Sequence, residues 1–180
     1  MNTINNKRKS KGFTLIELVV VIVIIGILAV VASAKFIDLA SDAQSSVIES
    51  VAGSMKATSD LVHVKALIND IDDGTIPLGD DNILIEGSYI SGHWNSAWRF
   101  ALNVGKNISF TPVADECTVN DLCGVGFQRT APGLPIATGG VRGLVLIWPN
   151  GMTLSDRCYS YYFNPQSGVE PSIGTVTSGC

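Results

Sequence analysis

Hydrophobic and polar positions divide the chain into three patterns. From Leu18 to Ala34 no charged residue occurs. As a helix, Phe13 to Ala34 extends roughly 33 Å at about 1.5 Å per residue, which matches a hydrocarbon core about 30 Å deep. From Lys35 to about Ile68 the pattern becomes amphipathic. Phe36, Ala40, Ala43, Val47, Val51, Met55, Val62 and Ala66 recur at three- to four-residue steps, skipping one turn near Thr58. Asp38, Asp42, Gln44, Glu49, Lys56 and Asp60 mostly fall on other faces, as in a helix with one buried stripe. No Pro or turn pair separates the two segments, so the pattern predicts one continuous helix of about 55 residues. Residues 13–34 form its membrane-spanning half and residues 35–68 its amphipathic half.

Residues 69–180 read as a globular, β-rich domain. Asn69 to Gly79 reads as the helix end and a loop. Strands are predicted at 83–85, 107–113, 124–128, 141–148, 152–154 and 159–163, separated by Gly and Pro turns. Pro149-Asn150-Gly151 predicts a hairpin with a type I′ turn. Gly139-Gly140 and Gly124-x-Gly126 read as backbone turns. Trp94 and Trp98 lie four apart, which suits a short helical turn with both rings on one face, packed under the long helix. The fold class is therefore α+β: a long N-terminal helix on an antiparallel sheet with one face toward solvent.

Charge refines this picture. Lys7, Arg8, Lys9 and Lys11 precede the apolar run with no acidic residue among them, which keeps the N-terminal end in the cytoplasm of a single-pass protein. The run is longer than the apolar region of a cleaved secretory signal, although Ala32-Ser33-Ala34 superficially resembles a cleavage site. Glu17 is its only charge, and an ionisable group within a membrane span calls for a function. Without residues 1–12 the chain keeps eight basic and sixteen acidic residues, a net charge of −8. Nucleic acid is therefore not a partner, since its readers carry clustered Lys and Arg. Asp70, Asp72, Asp73, Asp80, Asp81 and Asn82 form an acidic cluster without EF-hand spacing, read as a solvated loop rather than a calcium site. His63 and His93 are too isolated for a metal site or a general base. No Ser/His/Asp order, phosphate loop or paired His ligands appear, so neither an enzyme nor a cofactor is expected. Cys117, Cys123, Cys158 and Cys180 lack Cys-x-x-Cys pairs, and their even number favours disulfides over metal. Three pairings are possible.

Lys11-Gly12-Phe13-Thr14-Leu15-Ile16-Glu17, on a basic leader and ahead of an unbroken apolar helix, resembles the processing site of type IV prepilins and related pseudopilins. The resemblance implies cleavage between Gly12 and Phe13 by an inner-membrane peptidase, which would remove a leader of residues 1–12 and N-methylate Phe13. Glu17 becomes the fifth residue of the mature chain, where the family uses it to attract the N-terminus of a neighbouring subunit during assembly. Of the three pairings, the favoured one closes a small loop with Cys117–Cys123 and ties down the strand-free tail from Gly168 with Cys158–Cys180. The second bond resembles the family's disulfide-bounded C-terminal region. The chain departs from many type IV pilins at Ala34, where they carry Pro, and a straighter helix is expected there.

The run from Lys35 to Ala43 is most similar to the mannose-sensitive haemagglutinin (MSHA) group. That implies a pilus subunit for attachment, biofilm formation and twitching motility, held in the inner membrane before assembly and extracellular afterwards. Its partners would be sister subunits and other pilins, the prepilin peptidase and methyltransferase, and the assembly platform. The alternatives are a minor pilin that initiates or tips the fibre and a type II secretion pseudopilin. A sugar-binding adhesin subunit would expose Trp94 or Trp98. A plain anchored periplasmic domain would keep Met1.

Overall fold

The structure, a computed structural model, describes residues 13–180, and gives the backbone alone for Ser33, Ala34 and residues 36–38. The leader 1–12, Gly12 included, and the side chains of Ala34 and Phe36 lie outside the described parts. Helix α1 runs from Leu15 to Asn69, and its backbone is helical through Ala34. The chain forms two compact units, one ending at Ala40 and the other spanning Ser41–Cys180.

In the first unit every residue from Phe13 to Ala32 is exposed. Leu15–Ala32 is long and apolar enough to cross a membrane. In the second unit, α1 buries Ile48, Val51, Ala52, Met55, Ser59, Val62 and Ala66. This stripe corrects the one expected from sequence. Ala40 and Ala43 are exposed, Ile48 and Ala52 join the core, and Ser59 fills the turn skipped near Thr58. A hydroxyl close to the helix backbone is small enough to bury where the periodicity of apolar residues lapses.

Two sheets pack with this half of α1. The smaller is an antiparallel meander of β1 (Gly74–Leu78), β2 (Asp81–Glu86) and β3 (Tyr89–Ile90). β1 occupies the stretch read as loop. Its Pro77 is tolerated because β1 is an edge strand, where a missing N–H is not required by a neighbour. A five-residue π-helical turn, Trp94–Trp98, and the short helix α2 (Arg99–Ala101) lead to the larger sheet. That sheet comprises β4 (Ile108–Phe110), β5 (Leu122–Gln128), β6 (Leu144–Pro149), β7 (Tyr159–Phe163) and β8 (Ser172–Val176), in sequence order. All its pairings are antiparallel except β4 with β5 at one edge.

The larger sheet departs from the expected one-sided pattern. β6 and β7 are buried at every position. Val145, Ile147 and Tyr162 face the core shared with α1, whereas Leu144, Leu146, Trp148, Tyr159 and Tyr161 enter a second core with Cys117, Ala131 and Leu154. The connections that carry those last three residues cover the face expected to meet solvent. The predicted strand at 152–154 is instead a 3₁₀ turn, Leu154–Asp156, closed by reciprocal Thr153–Asp156 capping bonds. Gly151 has φ +77°, but Asn150 is not among the residues of positive φ. A type I′ turn needs both, so that hairpin turn is absent and β6 reaches β7 through a longer connection. The tail is not strand-free either, because β8 pairs with β7 along its whole length.

Burial sets the expected cost of mutation. Met55 is wholly buried, so Met55→Ala should destabilise the detergent-solubilised chain by about 2–5 kcal/mol. Leu61→Ala, on the exposed side of the same helix, should stay within about 0.5 kcal/mol; denaturant unfolding distinguishes them. Burial also pushes the Tyr159 phenol up to about 12, with Tyr161 adding to the shift and Arg157 opposing it. A raised folded value means stability is complete below about pH 10 and is lost as pH rises through about 12. The share of the phenolate absorbance that Tyr159→Phe removes should therefore appear together with unfolding across that interval, not before it.

Candidate functional site

The helix start is where the chain concentrates its unusual chemistry. Thr14 precedes the first helical residue, and Glu17 lies three positions later. Both the backbone N–H and the hydroxyl of Thr14 donate to Glu17 Oε2, at 2.9 and 2.6 Å. The Thr14 carbonyl accepts from Leu18 N–H. Thr-x-x-Glu is the spacing of a capping box, in which the carboxylate satisfies a backbone donor that the helix leaves open. A negative charge in the first turn also suits the positive end of the helix dipole. Glu17 thus has a local role, and the spacing alone could have revealed Thr14 as its partner.

This leaves capacity for a second interaction. Among the described residues, Oε1 accepts no hydrogen bond. Phe13, Ile16, Glu17, Val20 and Val21 line an open groove of about 360 Å³. An apolar trough with one carboxylate oxygen available can receive an apolar residue that bears a cation. Phe13 is itself exposed. A cation brought close to Glu17 would interact with it far more strongly once the pair leaves water for a low-dielectric surrounding.

Residues 7–33 match the family model described as the prokaryotic N-terminal methylation motif. The chain carries an N-terminal methylation motif. Over 58 residues it is 41% identical to the type IV narrow pilus major component PilA5 of Thermus thermophilus, a stretch covering 32% of this chain and 50% of that relative. The chain therefore spans about half the length of the curated relative it matches. No solved structure matches it.

The other singled-out residues lie in the second unit. Cys117 is bonded to Cys123 and Cys158 to Cys180, with Cα atoms 5.5 and 4.8 Å apart. Trp94 and Trp98 are 4% and 0% exposed, so neither offers a sugar platform. Trp94 is admitted by Gly124 and Gly126, because a Cβ at either would lie within 3 Å of its ring or backbone. Those two glycines are in strand β5, not in turns, and their smallness serves packing. His63 stacks flat on Tyr89, with ring centroids 3.9 Å apart, and its Nδ1 lies 3.0 Å from the Ser88 carbonyl. In the acidic stretch Asp73 accepts from Gly87 N–H. Among the described residues no group of His, Cys, Asp and Glu is placed to hold a metal.

The capping contact can be tested apart from assembly. Glu17→Ala in micelles should loosen the helix start, speeding exchange of the Thr14 amide roughly fivefold. Unfolding of the Ser41–Cys180 unit should be unchanged. Equal exchange in both proteins would remove the capping role.

Proposed function

We propose that the chain is the structural subunit of a type IV pilus of the MSHA type, made as a prepilin and polymerised from the inner membrane into an extracellular fibre. Cleavage follows Gly12, removing residues 1–12, and Phe13 is then N-methylated by the same prepilin peptidase. In this reading residues 13–34 span the membrane first and line the fibre core afterwards, residues 35–68 join them to the remainder, and 69–180 is the globular part. The observation that carries it is the wholly exposed apolar rod Phe13–Ala32 behind a matched methylation motif.

The mechanism is structural rather than catalytic. Cleavage creates an ammonium at Phe13, still cationic after methylation. The Glu17 carboxylate of a neighbouring subunit attracts it into register, since either charge alone is costly to bury. The apolar side chains that leave lipid are reburied among sister helices, so extraction by the assembly platform does not expose them to water. The fibre serves attachment, biofilm formation and twitching. A minor pilin or a secretion pseudopilin would share the same N-terminal device.

Mass spectrometry of filaments sheared from the native host should find this chain beginning at methylated Phe13. Glu17→Ala should leave processed subunit in the membrane while sheared filament falls at least tenfold. Chain retaining its first twelve residues in a fraction that never sediments as polymer would refute the reading.

A further inference from the structure

A second site lies on the β5 edge of the globular unit, where one bulky residue sits in a backbone region that bulky residues avoid. β5 carries one extra residue opposite β6 between Val125 and Gln128. At this bulge Phe127 has φ +61°, a genuine outlier for a large side chain. Its N–H donates to the Gly92 carbonyl at 2.6 Å, which holds the bulge in place. Glycine would satisfy the backbone better, so the ring itself needs an explanation. It is only partly covered, with the His93 ring 4.2 Å away and the Arg142 guanidinium 5.0 Å from its centroid.

Phe127 forms one wall of an open groove of about 470 Å³, with Phe110, Val113, Arg129, Thr130 and Arg142 among its other lining residues. Phe110 is also exposed. The ion pairs among the described residues all involve Lys56, so neither Arg129 nor Arg142 is neutralised by a carboxylate there. In a chain that is acidic overall, two such guanidiniums, one of them seated over the Phe127 ring, beside the exposed Phe110 ring form a site with defined chemistry. Guanidinium matches the two oxygens of a carboxylate, and an aromatic face accepts the C–H face of a sugar ring.

We propose that this groove binds an acidic polysaccharide, a uronate held by Arg129 and Arg142 with its pyranose ring against Phe110. The openness of the groove admits a polymer passing through it, where an isolated small acid would stay largely hydrated. An acidic loop of a second copy would satisfy the charges but would leave the exposed Phe110 face without a matching ring. The site stands independently of whether the chain forms a fibre.

The test uses the full chain in detergent and, in parallel, filaments from the host, titrated with oligoalginate and with neutral dextran. Oligoalginate should bind saturably and dextran should not, with affinity falling as salt rises. R129Q and R142Q, both at exposed positions, should each weaken binding at least tenfold without moving the melting temperature. F127N, whose side chain tolerates positive φ, should weaken binding by removing the ring that seats Arg142, and F110A should weaken it by removing the sugar's platform, each without lowering the melting temperature. No saturable binding, equal binding of dextran, or undiminished binding by the R129Q/R142Q double variant overturns the proposal. Loss of filaments in that double variant, with no oligoalginate binding by the unaltered chain, assigns the groove to contacts between copies and also overturns it. Filaments without binding defeat this site alone, and binding without filaments defeats the fibre reading alone.

Discussion

An apolar surface that water cannot solvate governs the chain. From Phe13 to Ala32 every residue is exposed. Each square ångström of such surface favours burial by about 25 cal/mol, and soluble monomers rarely display an apolar patch of this extent. Lipid satisfies the constraint, and so do sister helices. These two solvents are nearly equivalent to a Val, Ile or Leu side chain, so moving between them costs little. Glu17 is the one charged group on this surface. Its Oε2 is occupied by Thr14, while its second oxygen stays available for a cation.

The Ser41–Cys180 unit carries its own cores. Its larger sheet is covered on both faces, one by the buried stripe of α1 together with Trp94 and Trp98, the other by loops and a second core. Tyr162 and Asn164 donate to the Ile90 carbonyl, joining the two sheets through a buried polar contact. Cys117–Cys123 fastens the connection between β4 and β5, and Cys158–Cys180 closes the chain just beyond β8. Such crosslinks act largely by restricting the unfolded chain, typically by about 2–4 kcal/mol.

The parts legible in the sequence were those with a simple period or a strong local signal. The long helix, the apolar rod and strand β7 follow from the spacing of their own residues. The misreadings share one cause, which is that tertiary contacts overrode a local pattern. Residues 74–78 read as loop, yet they form an edge strand, which does not use the N–H that Pro77 lacks. The glycines of β5 suggested turns, although they make room for a tryptophan some thirty residues earlier in the chain, a relation no local window contains. β8 has little apolar periodicity because its residues are only half buried, and pairing with β7 forms it. Phe127 was invisible as a special residue because neither its identity nor its neighbours signal positive φ. At the candidate assembly site, the motif drew attention to Glu17, and the Thr-x-x-Glu spacing already carried the signal for its hydrogen bonds to Thr14.

The central claim is that the rod must be covered by lipid or by copies of itself. Sedimentation of the processed chain after detergent removal measures this directly. The account predicts that, without vesicles, the protein leaves solution as polymer or aggregate, and that with vesicles it floats with the lipid. A processed chain that stays a monodisperse monomer in plain buffer, with neither lipid nor partner present, would contradict it.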